Sequence, residues 1–148
     1  MAEQPQAGLE TDPRFPSGPW VGFFIQKHPP LGRHEMELAL TFRAGVMQGD
    51  GRDLVGTFVI IGRYDLGDGH CDWTKYYLGR HEVYYDGFNE GKGIWGGWRI
   101  PAQGGAPELR GGFYIWPKGT PDPTNSHLAE AISLEPAVEA EEPVPALS

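Results

Sequence analysis

The sequence predicts an all-β protein: a closed, antiparallel eight-stranded up-and-down barrel with flexible N- and C-terminal tails. Three observations predict it. Eight short runs alternate apolar and polar residues, their links are short and rich in turn residues, and 22 glycines and 14 prolines in 148 residues leave little room for long helices. Short links make neighbouring strands antiparallel, and an eight-strand meander closes because closure removes both unpaired edges. The length suits one domain with a modest core.

Residues 1–17 are proline-rich and aperiodic, and are expected to form a flexible arm. WVGFFIQ (20–26) opens the barrel domain, set at residues 18–117. MELALTF (36–42) places Met36, Leu38, Leu40 and Phe42 on one face, and Arg43-Ala44-Gly45 turns the chain into VMQGDG (46–51). LVGTFVIIGRY (54–64) follows, then the turn DLGDG. HCDWTKYY (70–77) and HEVYYDGF (81–88) form a hairpin, Asn89-Glu90-Gly91 leads into KGIWGGWRI (92–100), and GGFYIWP (111–117) ends at Pro117. Residues 118–148 are read as an acidic, proline-rich tail with one short helix over 127–134, capped by Ser126. The strand-interior glycines Gly56, Gly62, Gly93, Gly96 and Gly97 are read chiefly as bends in the wall.

The net charge of −8 belongs to the tails. Residues 14–118 hold all 12 Lys and Arg against 11 Asp and Glu, whereas the flanking segments carry 9 acids and no base. A near-neutral folded part has no basic stripe, so no nucleic-acid partner is expected. No apolar run is long enough to span a bilayer, and the polar N-terminus lacks the apolar core of a signal peptide, so no membrane partner is expected. The single cysteine, Cys71, excludes an intramolecular disulfide, and a cytoplasmic location is the expectation.

Side-chain parity nominates a site. If Trp73 faces the interior, Cys71, Lys75 and Tyr77 share that face, and Val83 brings His81 and Tyr85 with it. Phe58 and Ile60 supply a wall from the fourth strand, Trp98 another from the seventh, and Phe113 and Ile115 a third from the eighth. A buried lysine needs a partner or a lowered pKa, and Asp53 and Asp72 are the nearest candidates, although Asp72 has outward parity. The expected ligand-binding set is Phe58, Trp73, Lys75, Tyr77, His81, Tyr85 and Trp98, an aromatic pocket with Lys and His at one mouth. The competing reading has Lys75 reaching solvent at the rim while the phenols satisfy one another.

No cofactor and no metal are expected. His70-Cys71-Asp72 carries ligating atoms, but adjacent strand residues point to opposite faces, and Asp50-Gly51-Arg52-Asp53 lacks the closing glutamate of a calcium loop. Lys75, His81 and Tyr85 would also make an acid–base set for a small barrel enzyme of isomerase, cyclase or hydratase type. No nucleophile motif, carboxylate pair or phosphate loop supports that alternative, and the catalytic residues stay unassigned. A third alternative is a protein-interaction module. Tyr76, Tyr84, Trp95 and Tyr114 share outward parity, which predicts an outer aromatic face and a homodimer formed through it.

Gly18-Pro19-Trp20 resembles the G-x-W opening of the calycins, the avidin and lipocalin type of barrel. The run from Gly56 to Asp65, ending Gly62-Arg63-Tyr64-Asp65, is similar to avidin-family strands. The resemblance implies an eight-stranded barrel with a ligand site at one mouth. The chain departs from a true avidin where avidins place an asparagine just after the first-strand tryptophan. Here Gly22 stands between Val21 and Phe23, so biotin is not implied.

Overall fold

A computed structural model describes residues 8–124. Eight strands run in chain order: β1 (Gly18–Gln26), β2 (Gly32–Arg43), β3 (Val46–Asp53), β4 (Gly56–Tyr64), β5 (His70–Tyr77), β6 (Glu82–Asn89), β7 (Ile94–Ile100) and β8 (Leu109–Pro117). Every neighbouring pair is antiparallel, and β8 pairs back to β1, closing the barrel. The expected architecture is therefore present, an eight-stranded all-antiparallel barrel consistent with the calycin arrangement.

Local chemistry explains the corners. Ala44 and Gly45 both take positive φ, 51° and 83°, the backbone that lets a two-residue link match the twist of β2 and β3. Along β2 the alternation is literal: Met36, Leu38, Leu40 and Phe42 are buried, while Glu35, Glu37 and Ala39 are exposed. The same period buries Phe58 and Ile60 on β4, Cys71, Trp73, Lys75 and Tyr77 on β5, and Val83 and Tyr85 on β6. The interior is thus lined by large rings and aliphatic side chains.

Three features differ from the sequence expectation. The arm expected over residues 1–17 is anchored to the barrel within residues 8–17: Phe15 is fully buried, 4.9 Å from the Tyr64 ring and 5.4 Å from Phe42. Tyr64 donates to Glu10 at 2.7 Å, and Asn89 Nδ2 donates to the Arg14 carbonyl at 2.6 Å. Residues 8–17 therefore plug the end of the barrel where β1 begins and β2 and β4 finish. Second, β6 starts at Glu82, so His81 lies off the strand and exposed instead of facing inward. Third, the chain after Pro117 stays on the wall: the Lys118 amide donates to Pro19, and Asp122 pairs with Arg33 at 3.4 Å. The helix expected over 127–134 lies outside the described residues.

Candidate functional site

The nominated residues divide between three places. Lys75 is 0 % exposed, and its Nζ lies 2.9 Å from Asp53 Oδ2, 3.2 Å from the Tyr77 hydroxyl and 3.6 Å from Met36 Sδ. The ammonium also sits 4.4 Å from the Phe58 ring centroid, 4.9 Å from Tyr85 and 5.1 Å from both Phe24 and Tyr77. Tyr77 donates to the same Asp53 oxygen at 2.6 Å, and Asp53 Oδ1 accepts the Val55 amide at 2.9 Å. Asp53, the counter-ion suggested by sequence, is the one the fold supplies, because the last residue of β3 reaches the interior level where β5 ends. Asp72 instead stays on the outside, 3.6 Å from Arg63.

Burial pulls the Lys75 pKa down from 10.5 to about 8, outweighing the opposing pull of the Asp53 carboxylate. Burial likewise raises the phenols of Tyr77 and Tyr85, and it pushes the Cys71 thiol up to about 12, which makes Cys71 a core residue and not a nucleophile. His81 stands at the rim, its ring 5.3 Å from Tyr77, with its pKa lowered by desolvation and by Arg80. Lys75 and Tyr85 are thus enclosed while His81 is exposed, so the three do not surround a common solvent-filled space.

A different concavity lies on the outer face. A slot of about 1150 Å³ runs across β5–β8 and reaches β1, and its shape follows from strand register. One wall is a row in which Trp95 pairs with Tyr114 and Tyr114 with Phe23. Trp95 is 42 % exposed, which leaves its ring available to a ligand. The opposite wall pairs Thr74 with Tyr84, Tyr84 with Arg99, and Arg99 with Arg110. Between them runs the floor, Asp72, Asp86, Gly97 and Gly112 in register. The walls stand four residues apart along β7, about 13 Å. Trp73, Tyr85 and Trp98, three of the nominated residues, border the slot from beneath, where the glycines thin the wall.

The floor glycines are of two kinds. A Cβ at the inward-facing Gly96 or Gly62 would collide with a backbone oxygen of the neighbouring strand, so close approach requires glycine there. A Cβ at the outward-facing Gly97 would meet its nearest atom at 3.4 Å, and one at Gly112 at 3.6 Å, and neither residue has positive φ. The barrel would accept a Cβ at both positions. The absence of side chains leaves a floor two strands wide beside Trp95 and Tyr114.

Charge is distributed unevenly along the slot. His70 Nε2 lies 2.9 Å from Asp86 and its Nδ1 3.7 Å from Asp72, so one imidazole bridges two opposed carboxylates. At the other end Arg99 lies 5.3 Å from the Tyr84 ring, and Arg110 pairs with Glu108. The Trp73 indole N–H, buried beside the slot, has no partner among the described residues. Among the described residues no group of three or more His, Cys, Asp and Glu side chains is placed to hold a metal ion.

Comparison with protein-family models, with curated proteins and with solved structures finds no match to this chain.

Inward parity in the sequence picks out the interior cluster, and outward parity picks out Tyr84, Trp95 and Tyr114 of the slot walls, but neither picks out the floor. The sequence places Gly97 among the expected bends, and nothing in the alternation singles out Arg99, Arg110 or Gly112. The available signal was outward parity at Gly97, two positions from both Trp95 and Arg99.

Proposed function

We propose that this chain is a ligand-binding barrel of the calycin type, distinct from a true avidin, and that its site is the slot on the outer face of β5–β8. The observation that carries this reading is the Gly97–Gly112 pair: two extended, outward-facing glycines whose missing side chains the packing does not require. Glycine in a strand interior weakens it, so glycines that packing does not demand point to room kept for another molecule. The aromatic wall supplies stacking surface, and the arginines and carboxylates supply polar contacts at the edges. The interior ion pair is satisfied by the chain itself and backs the slot through Tyr85.

The test pairs Gly97→Val with Gly112→Ala. Both should keep the thermal midpoint within about 3 °C, since each change costs less than about 1 kcal/mol and valine favours strands. Native mass spectrometry of wild-type protein should show a retained ligand mass that both variants lose. Variants that retain the same mass would move the site elsewhere, with the Lys75 interior the next place to look.

A second reading treats the outer face as a homodimer interface. Val59 and Tyr76 are paired across β4 and β5 and both remain exposed, as does Ile61 on β4, which extends the apolar surface beyond the slot.

A further inference from the structure

We infer that the slot binds a linear acidic glycan, a chain of pyranose rings bearing carboxylates, with a carboxylate received between Arg99 and Arg110; this rests on the slot being the binding site. Arg99 and Arg110 are directly opposite on β7 and β8. Like charges in that relation destabilise a sheet. Arg110 has Glu108 as a neighbour, whereas Arg99 forms no ion pair with a carboxylate among the described residues and rests on Tyr84. Of the two guanidinium groups only Arg110 has a carboxylate from the fold, and a ligand carboxylate completes the pairing at Arg99 by fork-shaped hydrogen bonds.

The remaining surfaces specify the rest of the ligand. Trp95 and Tyr114 offer flat apolar faces, which match the C–H face of a pyranose laid over Gly97 and Gly112. Asp72 and Asp86, held by His70 and Arg63, offer acceptors to hydroxyl groups. Asp72 and Asp86 would repel a strand with an anion on every unit, such as a nucleic acid, and favour a glycan in which acidic rings alternate with neutral ones. A peptide adding as a strand would need a free sheet edge, and the closed barrel has none. The slot crosses five strands, about 19 Å at the usual spacing, which is longer than one ring. A hydroxylated, ring-built, carboxylated chain fits all four surfaces.

Tryptophan fluorescence of the full chain would be titrated with hexamers of galacturonate, mannuronate and glucuronate–N-acetylglucosamine, with neutral cellohexaose, and with the aromatic anion 8-anilinonaphthalene-1-sulfonate. At least one acidic hexamer should bind at least tenfold more tightly than cellohexaose and weaken as salt is raised. Arg99→Gln and Arg110→Gln should each lower that affinity about tenfold, and Trp95→Ala should abolish the fluorescence change. Cellohexaose binding as tightly as every acidic hexamer would overturn the carboxylate assignment. If no hexamer binds while the aromatic anion binds and is lost in Gly97→Val, the glycan assignment fails and the slot survives as a site. If the aromatic anion also fails to bind, both fall together.

Discussion

Replacing the buried pair by Lys75→Met together with Asp53→Asn tests how the interior is balanced. Methionine keeps the stem and deletes the ammonium, while asparagine keeps an oxygen for Tyr77 and Val55. The Lys75 pKa falls from 10.5 to about 8, so the folded state disfavours the ammonium by about 3 kcal/mol, at 1.4 kcal/mol for each pKa unit. Against this stand the ring contacts and one hydrogen bond from Lys75, together about 1–2 kcal/mol. The double variant should therefore be more stable than wild type by about 1–2 kcal/mol at pH 7, a rise of roughly 3–6 °C in the thermal midpoint. Asp53→Asn alone should go the other way. It leaves the cation without its counter-ion, but the loss is capped near 1.4 kcal/mol because at pH 7 the lysine can release its proton once its pKa drops one more unit. Urea denaturation at pH 7 on the three proteins measures all of this. A double variant several kcal/mol less stable than wild type would refute the reasoning, because the pair would then contribute more Coulomb energy than its desolvation costs.

The same proteins carry a pH signature. A lysine with a depressed folded pKa loses stability as pH falls from its unfolded value to its folded one, so wild type should gain about 2 kcal/mol on the double variant between pH 8 and pH 10. Tyr64 and Cys71 have raised values set apart from the pair and weaken both proteins equally at high pH. Tyr77 and Tyr85 keep burial, the larger cause of their raised values, when Asp53 is replaced, so the lysine dominates the difference that urea titrations at each pH would read. Phe15→Ala should cost about 3–5 kcal/mol in the same assay, since the ring is fully buried against Phe42 and Tyr64, and a cost below 1 kcal/mol would show that the arm does not hold the barrel end. Trp95→Glu should shift any dimer to monomer in sedimentation velocity, and an unchanged sedimentation coefficient would remove the outer face as an interface.

The sequence by itself determined the barrel and the contents of its interior. Strand period is a local property: once Trp73 is inside, Lys75 and Tyr77 follow, and a lysine there calls for a carboxylate such as Asp53. The end plug was not legible, because Phe15 lies in an aperiodic proline-rich stretch and packs on rings distant in sequence, Phe42 and Tyr64. His81 failed for a related reason, since parity holds only while the strand continues and β6 begins one residue later. Outward parity gave the aromatic residues of the slot walls, Tyr84, Trp95 and Tyr114, but their assembly around a glycine floor came from tertiary structure. Gly97 beside Gly112, Trp95 beside Tyr114, and Arg99 beside Arg110 are cross-strand neighbours fixed by the register of β7 on β8. That register is a relation between two segments separated by a loop, which the alternation within either segment does not contain.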